Sequence, residues 1–215
     1  MKTTSPTRRL NRLVTESFGR VARGYDSPLL QHVVYRPPQD QVIAELWAAG
    51  SRRIADIGCG TGILTTRIQR ELRPDQAFGV DASPGMLAQA RTRSAHVTWL
   101  QAPAECLPFG DETLDAVVTT SAFHFFDQPA ALTEFARVLM PGGLVAVSTV
   151  NPAGQLARPI RQLTRSTLSP YHAPSPGEVR NMLRQAGFEV SGQRRIQRPL
   201  PRWLIPDVLT VGRRN

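Results

Sequence analysis

The stretch IADIGCGTGILTTRI, residues 54–68, decides the fold. A short apolar run from Ile54 to Ile57 meets a cluster of glycines, and an amphipathic segment follows at once. This is the pattern of a strand that enters a tight turn and leaves as a helix. Gly58, Gly60 and Gly62 are spaced G-x-G-x-G, which differs from the dinucleotide fingerprint G-x-G-x-x-G. A helix N-terminus offers open amide donors, and such turns ordinarily receive phosphate. Asp56 stands directly before the turn and would repel a phosphate. Beside an ammonium or a sulfonium the same carboxylate attracts, by about 4 kcal/mol at about 4 Å for an effective dielectric constant of about 20. The turn therefore favours a nucleoside that carries positive charge.

Outward from this stretch, strands and helices alternate. The expected strands are residues 52–58, 77–81, 96–100, 114–120 and 144–150. The expected helices between them are 63–72, 83–93 and 128–139. Pro74 stops the first of these helices, and Ser83 caps the second with Pro84 at its first position. Short connections between alternating elements give parallel strands with helices on both faces. Ahead of this core, residues 7–23 and 37–50 read as helices, the second opened by Pro37 and Pro38 and closed by Gly50. Beyond it, Ser175 and Glu178 form a capping-box pattern for a helix over 175–187. Residues 188–196 and 207–214 read as an adjacent, antiparallel strand pair. The expected class is α/β: a doubly wound, mostly parallel, Rossmann-like sheet with an antiparallel C-terminal strand pair and an N-terminal helical cap. The chain reads as a single domain over 1–215. Residues 1–50 form the cap, 51–150 the cofactor-binding core, and 151–215 the substrate cap and C-terminal strands.

Bulk properties narrow the classes. The 215 residues are 41% hydrophobic and 20% charged, as in ordinary globular chains. No apolar run approaches the roughly 20 residues that span a bilayer, and the N-terminus lacks the apolar block of a secretory signal. Cys59 and Cys106 have no metal-ligand spacing and read as free thiols of a reducing cytoplasm, the expected location. No metal cluster is present in the sequence. The net charge of +9 is split as +5 over residues 1–25, −4 over 26–150 and +8 over 151–215. Basic ends attract anionic partners, but a charge excess alone specifies none.

In a doubly wound sheet the ligand sits beyond the carboxyl ends of the strands, where the strand order reverses. S-adenosylmethionine meets the demand set by Asp56: its amino-acid end carries an ammonium, its sulfur is cationic, and its carboxylate can use helix amides. Asp81 ends the second strand 19 residues after Gly62, where a carboxylate accepts hydrogen bonds from both ribose hydroxyls.

Four segments, ADIGCGTG (55–62), GVDASPGMLAQAR (79–91), APAECLPFGDETLDAVVTTSAFHFF (102–126) and ALTEFARVLMPGGLVAV (131–147), occur in one order and spacing. Together they resemble the class I S-adenosylmethionine-dependent methyltransferases, in particular the small-molecule group called methyltransferase type 11. FGRVARGYD (18–26) is similar, over a shorter stretch, to the ubiquinone/menaquinone-biosynthesis methyltransferases. The resemblance implies that Asp56, Gly58 and Gly60 line the methionine end of the cofactor and that Asp81 holds the ribose. It implies adenine contacts from Ala82, Met86 and the Ala104–Glu105 segment. Thr120 or Ser121 would lie near the methionine moiety, and Tyr25 would help close the site. Pro103 departs from the pattern, since many relatives place an aspartate there against the adenine amine.

Methyl transfer needs an aligned nucleophile about 3–3.5 Å from the methyl carbon, with water excluded. A base is added when the acceptor must lose a proton. His124, just beyond the fourth strand, is the candidate base, against the alternative of a histidine that bonds backbone while its neighbours pack. Phe123, Phe125, Tyr171 and His172 are candidate substrate contacts, with 151–176 as a variable cap. The expected activity is methyl transfer from S-adenosylmethionine to a small aromatic or apolar metabolite. Two alternatives stand beside it: an RNA- or protein-directed methyltransferase docking through the arginine-rich ends, and a non-catalytic cofactor-binding protein. No NPPY-type tetrad follows the fourth strand, where TTSA stands instead. Oligomeric state has no sequence signal.

Overall fold

The computed structural model describes residues 35–150, 173–198 and 207–215. The expected helix over 7–23, Tyr25, most of the expected cap over 151–176, Tyr171 and His172 lie outside these residues.

Prolines and glycines punctuate the first elements as their fixed or free φ angles require. α1 (Arg36–Ala49) carries proline in its first turn and ends at Gly50, whose φ of 64° is left-handed. β1 (Arg53–Ile57) runs into the glycine turn, and α2 (Ile63–Leu72) leaves it. β2 (Gln76–Asp81), α3 (Pro84–Arg93), β3 (Thr98–Gln101) and β4 (Leu114–Thr120) follow. A 3₁₀ turn (Phe123–Phe125) then leads to α4 (Gln128–Val138) and β5 (Leu139–Val150). The Ser83 hydroxyl caps α3 by accepting the Met86 N–H, and Asp127 caps α4 by accepting the Ala130 N–H, each at 3.4 Å. α5 (Pro176–Gln185) starts with the full capping box between Ser175 and Glu178, and β6 (Phe188–Arg195) and β7 (Asp207–Arg214) complete the fold.

The seven strands form one sheet in the order β3-β2-β1-β4-β5-β7-β6. β1 to β5 pair in parallel, while β7 is antiparallel to both β5 and β6. The reversal of strand order beside β1 makes the switch point at which such sheets bind ligands.

Successive residues point to opposite faces, and both faces are buried. Ala55, Val117, Val145 and Val147 face one core with Leu132 and Phe135 of α4 and Leu183 of α5. Ile54, Ala116, Val118, Leu144 and Ala146 face the other, with Val42 and Leu46 of α1 and Ile68 of α2. α1 is thus a covering layer of the sheet. Grouping residues 36–49 with a separate N-terminal cap misses this, because their apolar stripe belongs to the main core.

Strand β5 also begins earlier than expected. Leu114 pairs with Leu139 and then Ala116 with Leu144, so Met140–Gly143 forms a bulge rather than a turn preceding the strand.

Candidate cofactor site

At the carboxyl ends of β1, β2 and β4 lies a cavity of about 270 Å³. Its wall is built from the tips of these strands, the glycine turn, the start of α2, and two residues of the α1 region, Tyr35 and Gln39. Asp56, Gly58 and Gly60 line it from β1 and its turn. Asp81, Ala82 and Met86 line it from β2 and α3, and Ala104 and Glu105 from the segment after β3. Thr120, Ser121 and Phe125 line it from the region after β4. The lining residues from Asp56 to Phe126 are gathered here because the parallel strands end at the same rim, and Tyr35 and Gln39 join them from the α1 region.

Asp56 is 2% exposed, and its carboxylate accepts the Thr65 hydroxyl at 2.7 Å. Burial pushes its pKa up to about 7; the Thr65 hydroxyl and amide oppose that shift, and the Asp81 charge adds to it. Each oxygen of Asp81 accepts one backbone amide, from Gly60 and from Ser83, both at 2.8 Å. A carboxylate oxygen has two lone pairs, so Asp81 retains capacity for two further donors. Burial raises its pKa, against the two amides. Asp81 therefore bridges the glycine turn to the start of α3, in addition to facing the cavity.

The turn itself differs from a phosphate cradle. The amides of Gly58 and Cys59 donate to the Val80 carbonyl at 2.8 and 3.1 Å, and that of Gly62 donates to the Cys59 carbonyl at 3.0 Å. With Gly60 bonded to Asp81 and Thr65 to Asp56, most donors of this turn are taken by the protein. This corrects the expectation of a freely open helix N-terminus: only Ile63 and Leu64, both on the cavity wall, keep unbonded first-turn amides among the described residues.

Two glycines serve different ends. Gly60 has φ 56° and open space where a side chain would project, so it permits close ligand approach. Gly62, with φ 81°, lies under the Trp99 indole, and a Cβ there would overlap the ring. The indole N–H is anchored on the Ser94 carbonyl at 3.0 Å.

The charges on the wall are of one sign. Asp56, Asp81 and Glu105 are present, with no lysine or arginine among the described lining residues. Glu105 is also an acceptor for the Asp127 amide at 2.7 Å, tying this segment to the start of α4. Pro103 lines the cavity beside it. The Cys59 thiol is pushed well above its usual pKa, by burial first and then by the Asp56 and Asp81 charges, so it is no nucleophile at neutral pH. Ser121 holds a left-handed φ of 56° at the end of β4, a strained conformation of the kind found at ligand sites.

Two expected contacts move away. Phe123 is fully buried in the main core and does not line the cavity, because the 3₁₀ turn sends it inward and Phe125 outward. Phe126 and Ala122 join Phe125 on the wall instead. His124 is 8% exposed and absent from the wall, with its ring 4.1 Å from that of Phe125. Burial pushes its pKa down to about 4, so it is neutral at pH 7. The described residues hold no group of three or more histidine, cysteine or acidic side chains placed to bind a metal.

The known proteins to which this chain is similar include methyltransferases. Residues 54–143 match the family described as a methyltransferase domain. An uncharacterized methyltransferase of Mycobacterium tuberculosis is 38% identical over 128 residues, covering 59% of this chain and 49% of that protein. A malonyl-[acyl-carrier protein] O-methyltransferase of Dechloromonas aromatica is 30% identical over 179 residues, covering 81% of this chain and 65% of that protein. The chain thus spans about half to two thirds of the length of these relatives. Among solved structures, a SAM-dependent methyltransferase of Thermotoga maritima, described as a possible histamine N-methyltransferase, superposes with a TM-score of 0.71 at 26% identity. That match covers 92% of this chain and 98% of the other.

Proposed function

We propose that this chain, whose residues 54–143 match a methyltransferase domain, transfers a methyl group from S-adenosylmethionine to a small aromatic or apolar acceptor. One observation carries the proposal: an acid-lined cavity at the switch point, with the glycine-turn amides largely consumed by the protein. Such a wall repels a pyrophosphate and attracts a cationic nucleoside. The donors and acceptors fit S-adenosylmethionine. Asp81 keeps lone pairs for two ribose hydroxyls, Ala82, Met86 and Ala104 offer apolar surface to a base, and Asp56 faces the cationic end. When bound, that cofactor supplies an electrophilic methyl carbon together with its own leaving group.

The residues then have a positional task. Asp56, fixed by Thr65, and Asp81, fixed by two amides, set the site without rearrangement. Phe125 and Phe126 give the acceptor side an apolar wall that excludes water. His124 lies behind this wall, so its part in the proposal is to support Phe125, and proton removal is left to the acceptor's own acidity or to solvent. A reducing cytoplasm is part of the same proposal, since Cys59 and Cys106 are both free thiols. No helix of the described residues is long and apolar enough to cross a membrane. The chain is read as one domain throughout.

A second acceptor class has a specific observation behind it. Similarity to the malonyl-[acyl-carrier protein] O-methyltransferase extends over 81% of the chain, which favours a carrier-bound carboxylate as the next candidate. The deciding experiment has two arms. Calorimetry should show binding of S-adenosylmethionine and none of nicotinamide or flavin dinucleotides. Transfer of labelled methyl from S-adenosylmethionine should then be followed in a metabolite extract, in acyl-carrier-protein fractions and in RNA. Dinucleotide binding without adenosylmethionine binding would defeat the proposal. Label in RNA alone would replace its acceptor class.

A further inference from the structure

Gln39 of α1 is 6% exposed, yet it lines the cavity. Its side-chain carbonyl accepts Arg67 Nη1 at 3.1 Å. Because a guanidinium only donates, this bond fixes which end of the amide is oxygen. The amide nitrogen, with two donors, makes no hydrogen bond to another described residue. Arg67 is itself held firmly: it is 14% exposed, its Nη2 meets Asp40 at 2.6 Å, and its Nε meets Glu71 at 2.9 Å. The amide is thus held by Arg67 with its donor end uncommitted at a ligand cavity, open to an acceptor that enters it.

The place of Gln39 along the rim identifies the acceptor. Asp81 and Ala82 mark the β2 side, where the ribose and base belong. α1 packs instead over α2, β4, β5 and β7, on the other side of β1. Asp56, Ile63 and Leu64 line the same cavity, and in the proposed reading the amino-acid end belongs beside Asp56. An amino-acid end carries a carboxylate as well as an ammonium. Among the described lining residues, which include no lysine or arginine, the donors on offer to a carboxylate are neutral. Resting on the reading that S-adenosylmethionine fills the cavity, we infer that the Gln39 side-chain amide, oriented by Arg67, donates to the ligand's α-carboxylate and selects for it. The Ile63 and Leu64 amides are further donors on this wall among the described residues.

The test compares S-adenosylmethionine with its decarboxylated analogue, which keeps the sulfonium and the amine. Gln39→Met preserves length and packing but removes the donors. It should weaken S-adenosylmethionine binding about tenfold or more and leave affinity for the decarboxylated compound unchanged. Arg67→Met, acting through Gln39, should narrow the same ratio by a smaller factor. Gln39→Asn, which withdraws the amide by one methylene, should fall between wild type and Gln39→Met and serves if the methionine variant folds poorly. Equal effects on both ligands, or none on either, overturn the inference while leaving the cofactor reading intact. Failure of the wild-type protein to bind either ligand removes the cofactor reading and the inference with it.

Discussion

Replacing Asp56 by asparagine should separate ligand binding from folding in opposite directions. Asparagine keeps an oxygen that can accept the Thr65 hydroxyl, so the local structure has a reason to persist. It removes the charge. A carboxylate about 4 Å from a cation in an effective dielectric of about 20 contributes about 4 kcal/mol, so the loss in affinity is bounded at roughly a thousandfold. In the wild type the carboxylate has a pKa of about 7, so about one tenth is ionised at pH 6 and about nine tenths at pH 8. Affinity for S-adenosylmethionine should therefore rise about tenfold from pH 6 to pH 8, while Asp56→Asn stays flat. Folding runs the other way. The folded pKa lies above the unfolded value of about 3.9, so the folded state holds the extra proton between them. The unliganded wild type loses stability as pH rises through that window, by about 4 kcal/mol in all at about 1.36 kcal/mol per unit. Unliganded Asp56→Asn should thus melt above the wild type at pH 8, with the gap closing toward pH 5. Calorimetry at three pH values and thermal melts without ligand read both effects. Undiminished binding by the variant, together with pH-independent wild-type affinity, would refute the electrostatic account.

Other substitutions probe the frame around that charge. Gly60→Ala should fold with a cost of about 1–2 kcal/mol for a left-handed alanine, whereas Gly62→Ala should cost about 1–3 kcal/mol more because it displaces Trp99; paired thermal melts rank them. Arg137 donates to Glu134, Asp111 and the carbonyls of Leu107 and Phe109, clamping the loop after β3 onto α4. Arg137→Met should lower the melting temperature by several degrees and weaken adenosine-bearing ligands, both measured by ligand-dependent thermal shift. His124, with its folded pKa of about 4 below the free value of 6.5, makes the fold lose about 3 kcal/mol as pH falls through that interval. His124→Gln should abolish that acid sensitivity and keep turnover at pH 7.5 within about twofold; a hundredfold drop would restore the histidine as a catalytic base.

The parts of this structure visible in the sequence are those with local causes. α2 and β7 fall at the expected residues because proline, glycine and apolar periodicity act within a few positions. Asp56 and Asp81 were legible because a strand end and a glycine turn constrain one another directly. Phe123, Phe125 and Phe126 could not be sorted, since three adjacent aromatics look alike until the 3₁₀ turn sets their phase. Gln39 was invisible because it gains meaning only through Arg67, which is 28 positions away in sequence. An i, i+4 pair such as Arg67 with Glu71 can be read from spacing, but the contact of α1 with α2 cannot. The donor spent by Gly60 on Asp81 has the same character: the motif predicted an open amide, and tertiary structure had already used it.

These internal bonds explain how an acidic cavity can bind tightly. Asp81 is held from two sides, Asp56 by the Thr65 hydroxyl, and Glu105 by the Asp127 amide. Each acid thereby loses rotamer freedom during folding rather than on binding, and each keeps lone pairs directed at the ligand space. Folding bears the desolvation of Asp56 and Asp81, which raises both pKa values, with the Asp81 charge adding to the rise at Asp56. A cation entering the cavity compensates that desolvation, so part of its affinity is free energy already stored in the unliganded protein. A neutral nucleoside of the same shape gains no such relief. Removing the sulfonium charge while keeping the adenosine and amino-acid ends, as in S-adenosylhomocysteine, should therefore weaken binding more at pH 8 than at pH 6, because only ionised acids reward the cation.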